Sequence, residues 1–235
     1  MLASDFVPTK TPLRSPLSRQ FSSTTRRLSR ITAEPNQFIS VQDAGYANVL
    51  MGLASGTITT HAHAVRAYRE HSLPYLAWAT RGLVELALWT EYCSRSPVND
   101  QLFLQDTIRD HVGLLAALGI AERAVPGGDN PAELDQLQAL LIKVGSTLGM
   151  NDLSAKFTPV SKAARDMGVM DLYTRVNTVL SKFVHPTALV TNSPVPDELV
   201  DVFSNMFIQI SDVSASAIFE MVKHEQKSIR CVKKA

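Results

Sequence analysis

From Ser40 onward, apolar residues recur at steps of three and four and nowhere settle into a sustained period of two, a pattern that predicts helices and no sheet. Ser40 and Asp43 form a capping-box-like start, after which Ala44, Ala47, Met51, Ala54, Ile58, Val65 and Tyr68 predict one long helix to about His71. Gly52 and Gly56 within it make a Gly-x3-Gly spacing that reads as close helix packing. Ser72 and Pro74 open a second helix and Pro97 closes it. That segment is apolar on nearly every side, with Leu83, Val84, Leu86, Ala87 and Leu88 pointing all around it, so it is expected at the centre of a bundle.

Asn99 or Asp100 is expected to cap a third helix carrying Leu104, Ile108, Leu115 and Leu118, which the loop 126–130 ends. Pro131 starts a fourth helix that Gly149 stops. Thr158-Pro159 starts a short fifth helix ended by Gly168, and a sixth runs from about Val169 to Val184, limited by Pro186. After Pro194 and Pro196 a last helix presents Leu199, Phe203, Met206, Ile210, Val213, Ala217 and Met221 as its apolar stripe. The fold class is therefore all-α, a single bundle of about seven helices. Its limits are expected at residues 36–225, between a flexible Ser/Arg-rich segment at 1–35 and a basic tail at 226–235.

Composition agrees with a globular chain, at 45% hydrophobic and 19% charged over 235 residues. Cys93 and Cys231 have no Cys-x2-Cys partner, which excludes a disulfide framework and a cysteine zinc site and fits a reducing compartment. The formal net charge of +1 hides an uneven distribution. Residues 1–33 carry six basic side chains against Asp5, and 223–235 carry five against Glu225, leaving 12 basic and 20 acidic groups between. An acidic body makes a nucleic-acid groove on the folded part unexpected, since such binding rests on neutralising phosphates.

The first 33 residues are interrupted by Pro8, Pro12 and Pro16, which disfavour a packed helix. Their composition resembles a mitochondrial transit peptide, and Arg19-Gln20-Phe21-Ser22 is similar to an Arg-x-Phe-Ser cleavage pattern. A cytoplasmic location is expected, with the mitochondrial matrix as the alternative. No transmembrane segment is expected, because the window Leu73 to Tyr92, taken as the most apolar, contains Arg81, Glu85 and Glu91.

Two constellations could carry chemistry. Arg81 and Glu85 lie one turn apart on the central helix, in surroundings expected to be dry, where an ion pair could fix helix register or hold the guanidinium toward an anion. His185 ends the sixth helix, preceded by Ser181, Asn177, Thr178 and Thr174 as a polar stripe. There it could act as proton donor or acceptor, or simply cap the last carbonyls. His61 and His63 sit about 200° apart around a helix and cannot share a metal, and His63 with His71 lacks a third ligand. No metal or cofactor is expected. Walker, nucleophile-elbow, zincin and dinucleotide signatures are missing from the sequence.

The Arg81-x3-Glu85 helix, followed by Met167-Gly168, Tyr173 and Leu180-Ser181-x3-His185-Pro186-Thr187, resembles an all-helical, mainly bacterial family of unknown function over about residues 45–220. That resemblance implies the fold and nominates residues, and implies no reaction. More distantly, Arg66 through His71 is similar to the Arg-x4-6-His motif of helical ribonuclease toxins of the HEPN type. A chain of this composition matches that spacing about once by chance, and Ala67 stands where those toxins usually have a polar residue.

The leading expectation is a bundle that binds a small ligand or protein partner through a polar pocket of Arg81, Glu85, Tyr173, Ser181 and His185. In it Glu85 would hold Arg81, Ser181 would orient His185, and Tyr173 would stand near the rim. One rival is a metal-independent ribonuclease with Arg81 stabilising phosphate and His185 as acid or base. The other is a purely structural protein whose long helices form a homo-oligomer surface.

Overall fold

The computed structural model describes residues 44–124, 131–147, 149–150, 153, 159–185 and 195–232. The expected flexible segment at 1–35, the capping residues Ser40 and Asp43, the loop 126–130 and Pro186-Thr187 lie outside the described residues. Among those described there are seven helices and no strand: α1 (Ala44–Arg69), α2 (Leu73–Ser94), α3 (Pro97–Ala124), α4 (Pro131–Thr147), α5 (Val160–Asp166), α6 (Met170–Val184) and α7 (Asp197–Val232).

Turn chemistry sets most boundaries. At the end of α1, His71 adopts a left-handed φ of 53° and the Ser72 amide reaches back to the Ala67 carbonyl at 2.9 Å. Helices usually reserve that closing geometry for glycine. Gly168 uses it in the ordinary way at φ 76°, with Val169 N bonding Ala164 O at 2.9 Å. The α2–α3 junction differs from the sequence expectation. α2 ends at Ser94, and Pro97 opens α3 rather than closing its predecessor. Ser96 Oγ accepts from Val98 N at 3.2 Å, so the capping expected of Asn99 or Asp100 is done earlier. Asn99 instead donates to the Tyr92 carbonyl at 2.8 Å.

Helix α2 is central, as its all-round apolarity requires. It packs against α1, α3, α5, α6 and α7. Leu76 and Leu83 are fully buried in the main core with Leu180, Phe183, Phe207, Ile208, Ile218 and Val222, while Leu86 is only partly buried. The close approach of α1 to α2 comes at Gly82, where an added Cβ would stand 3.2 Å from Thr60. Gly52 and Gly56, expected to supply it, meet nothing closer than 3.6 Å.

Helix α7 corrects the sequence reading most. The expected stripe through Leu199, Met206 and Val213 is exposed; the buried residues are Ser204, Phe207, Ile208, Ser211, Asp212, Ala215, Ile218, Phe219 and Val222. The two stripes lie roughly 140° apart around the helix. Small and polar residues hold the core face because polar partners wait there. Thr80 Oγ1 donates to Leu76 O at 2.7 Å and meets Ser211 Oγ at 2.9 Å, while His61 Nε2 lies 3.5 Å from Asp212 Oδ1, both fully or almost fully buried. With apolar residues on both faces, Asp197–Glu225 is also long and apolar enough to cross a membrane by length and composition, with a mean hydropathy of 1.2 over its most apolar window. This amends the expectation that no stretch reaches that level. The helix also continues to Val232, into the segment expected as a basic tail.

A smaller cluster joins α1, α2 and α3 through Val49, Leu53 and Cys93, with Trp89 and Phe103 against it. Burial, reinforced by nearby Asp100, pushes the Cys93 thiol up to about 12.

Two outcomes are expected. Leu83→Ala should lower stability by about 2 to 5 kcal/mol and the half-buried Leu86→Ala by less, as read from urea unfolding curves; equal losses would contradict the central placement of Leu83. In a Cys231→Ser background, a thiol reagent at neutral pH should leave Cys93 unmodified until the protein unfolds. Because the folded thiol holds its proton above the pH where the unfolded one releases it, stability should be unaffected by this group below about pH 9 and fall as pH rises from there toward 12.

Candidate functional site

Arg81 and Glu85 stand one above the other on α2, and the Arg81 Nε donates to Glu85 Oε1 at 2.9 Å. Their surroundings are wetter than expected: the two side chains are 31% and 28% exposed. Among the described residues, no hydrogen bond takes up the terminal guanidinium nitrogens of Arg81. Holding Nε by a carboxylate fixes the plane of the fork and leaves its outer edge for an anion.

Tyr173, in the first turn of α6, completes the cluster from across the bundle. Its phenol lies near enough to Glu85 and Arg81 to feel both charges. Burial and the Glu85 charge raise the Tyr173 pKa and the Arg81 cation opposes them, so the phenol keeps its proton. The charged pair on one helix thus faces a protonated phenol from a neighbour.

Ser181 and His185 are placed otherwise. Ser181 Oγ pairs with Asn177 Oδ1 at 3.5 Å on its own helix, and no hydrogen bond among the described residues joins it to His185. His185 is the exposed C-cap of α6, its amide bonding Ser181 O at 3.3 Å. Twelve residues of helix, about 18 Å at 1.5 Å per residue, separate it from Tyr173. The structure therefore brings Arg81, Glu85 and Tyr173 together and leaves Ser181 and His185 in a separate, local arrangement.

Beside the cluster runs a groove of about 450 Å³ between α2, α6 and α7. Val84 and Leu88 form one wall, Val169, Leu172 and Val176 another, and Met206, Ile210 and Val213 the third. Gln209 and Ser214 add polar atoms, and Tyr173 lines the groove beside the charged pair. The sequence reading missed this space because it placed Met206, Ile210 and Val213 in the core. The available signal was excess: α7 carries more apolar residues than one buried face can use.

Two further groupings were not anticipated. The buried His61 and Asp212 pair joins α1 to α7. On the surface, Tyr75 stacks on Trp78 with ring centres 5.4 Å apart, and its hydroxyl lies 2.7 Å from His63 Nδ1. In the Arg66-to-His71 segment, Arg66 Nε bonds Glu70 at 2.8 Å and His71 turns out of the helix. Among the described residues, no three His, Cys, Asp or Glu side chains are grouped to hold a metal ion.

Comparison of the chain with protein-family models, with curated proteins and with solved structures returns no match.

Proposed function

We propose that this bundle binds a small amphipathic acid, with an apolar body in the groove between α2, α6 and α7 and an anionic head at Arg81. The observation that carries the reading is the position of Tyr173, which lines the groove and lies near enough to Glu85 and Arg81 for both charges to act on its phenol. A volume of about 450 Å³ falls in the range of small-ligand sites, and mostly apolar walls with a few convergent polar groups are their usual chemistry. The apolar walls supply affinity by burial, and the fork of Arg81 selects for negative charge. The ribonuclease reading needs Arg81 and His185 to act on one phosphate, and the length of α6 between Tyr173 and His185 speaks against it.

Octanoate and octylammonium serve as matched probes in calorimetric titrations of the full chain. Octanoate should bind and octylammonium should bind far more weakly. Arg81→Gln should weaken octanoate roughly 10- to 100-fold, the value of a hydrogen bond to a charged group. Tyr173→Phe should weaken it less, because only a neutral hydroxyl beside the charged pair is lost. Val213→Trp, made at an exposed position on the groove wall, should block binding with little change in thermal stability. Equal affinity for the two probes, or an unchanged affinity in Arg81→Gln, would overturn the proposal.

A further inference from the structure

Helices α3 and α4 form an antiparallel hairpin that the rest of the bundle supports only in part. The first half of α3 rests on α1 and α2, whereas α4 packs chiefly on α3. Near the connection Arg123 reaches Asp135 at 3.3 Å, and at the far end Gly145 lies against Ile108. The seam between the helices accounts for Ile108, Gly119 and Gly145, all buried.

It leaves a second set of apolar residues unused. Leu114 and Leu118 on α3, with Leu137, Leu140 and Val144 on α4, are between 40 and 57% exposed. On each helix these residues sit roughly 100° from the seam in the same rotational sense. In an antiparallel pair, that sense carries both sets to the same side. The hairpin therefore presents one continuous aliphatic face, two helices wide, to water. Isolated surface leucines need no explanation, but a grouped face of this kind marks an interaction surface.

We infer that this face is a dimer interface, covered by the same face of a second copy of the chain to make a four-helix bundle from two hairpins. Charge singles out that occupant. A two-fold contact sets a surface against itself, so a face of one sign would repel its copy. This one is uncharged through its middle, with Glu133 toward the connection and His111 toward the far end. Antiparallel two-fold pairing brings each Glu133 to the His111 of the other copy. His111 Nδ1 donates to Thr107 O at 2.6 Å, so Nε2 meets that carboxylate as the second N–H donor of an imidazolium. Size agrees as well. A face about 25 Å long and 20 Å wide, the length of α4 and two helix diameters, offers about 500 Å² per partner, at the low end of specific interfaces. The groove and the Arg81 cluster lie on other helices, so the dimer does not depend on the ligand reading.

Sedimentation of the full chain across a concentration series tests this. The wild type should sediment at twice the chain mass. Leu118→Glu with Leu140→Glu should sediment at one chain mass with an unchanged helical circular dichroism spectrum, since both positions face water in a single chain. Glu133→Lys should weaken the dimer roughly tenfold by setting a cation against His111, and adding His111→Glu should restore it. A wild type that stays at one chain mass throughout overturns the proposal, as does a double leucine variant that still dimerises. Should the leucine variant fail to fold, the charge exchange decides alone: no loss with Glu133→Lys, or no recovery in the exchanged pair, overturns it too.

Discussion

Helix α2 is apolar on nearly every side and leaves mainly the edge of Trp78, Arg81 and Glu85 to water, and the arrangement of the other helices follows from covering the rest. α1 and α7 take its two long flanks, α6 closes part of a third side, and α3 and α5 cover its end. Wrapping a helix this fully also buries hydroxyls, and an unpaired buried hydroxyl costs about 1 to 3 kcal/mol. Thr80 meets that demand by bonding its own helix at Leu76 and, across the interface, Ser211. The second bond fixes how far α7 can slide along α2. The His61 and Asp212 pair repeats the device between α7 and α1. Three helices are thereby locked in register by polar groups in the middle of an apolar core.

The candidate site is a by-product of that wrapping. α6 spans 15 residues and α7 spans 36, so α6 covers only part of the space between α7 and α2. The aliphatic residues on the second face of α7 border what is left over. Arg81 and Glu85 can be charged because they lie at the margin of this space, in partial contact with water. In a fully enclosed site their desolvation would outweigh most of the attraction between them.

Helix boundaries were legible wherever the chain punctuates itself. Pro131, Gly149 and Gly168 act where the sequence places them, because their backbone preferences are local. Pro97 was read as a stop when it is a start, since proline serves either purpose and only Ser96 before it distinguishes them. The core face of α7 was illegible from periodicity because its buried residues include Ser204, Ser211 and Asp212, which count as polar until their partners on other helices are known. The same applies to His61. In the site, Arg81 with Glu85 was legible because four residues is one helical turn. Tyr173, nominated by motif, stands beside the charged pair rather than at a distant rim. Ser181 and His185 share a motif with it in sequence, but a straight helix carries that motif away from Arg81.

The registers that hold the centre together join distant parts of the chain. Thr80 and Ser211 are 131 residues apart, and Tyr68 bonds Asn205 across 137. On a ribosome adding about 5 to 20 residues per second, α1 and α2 emerge and then wait on the order of ten seconds for the helix that completes their core. Until it arrives, Leu76, Leu83 and the apolar side of α1 face solvent or transient partners. The growing chain is thus exposed to misassembly throughout that interval, and α7 decides when the exposure ends.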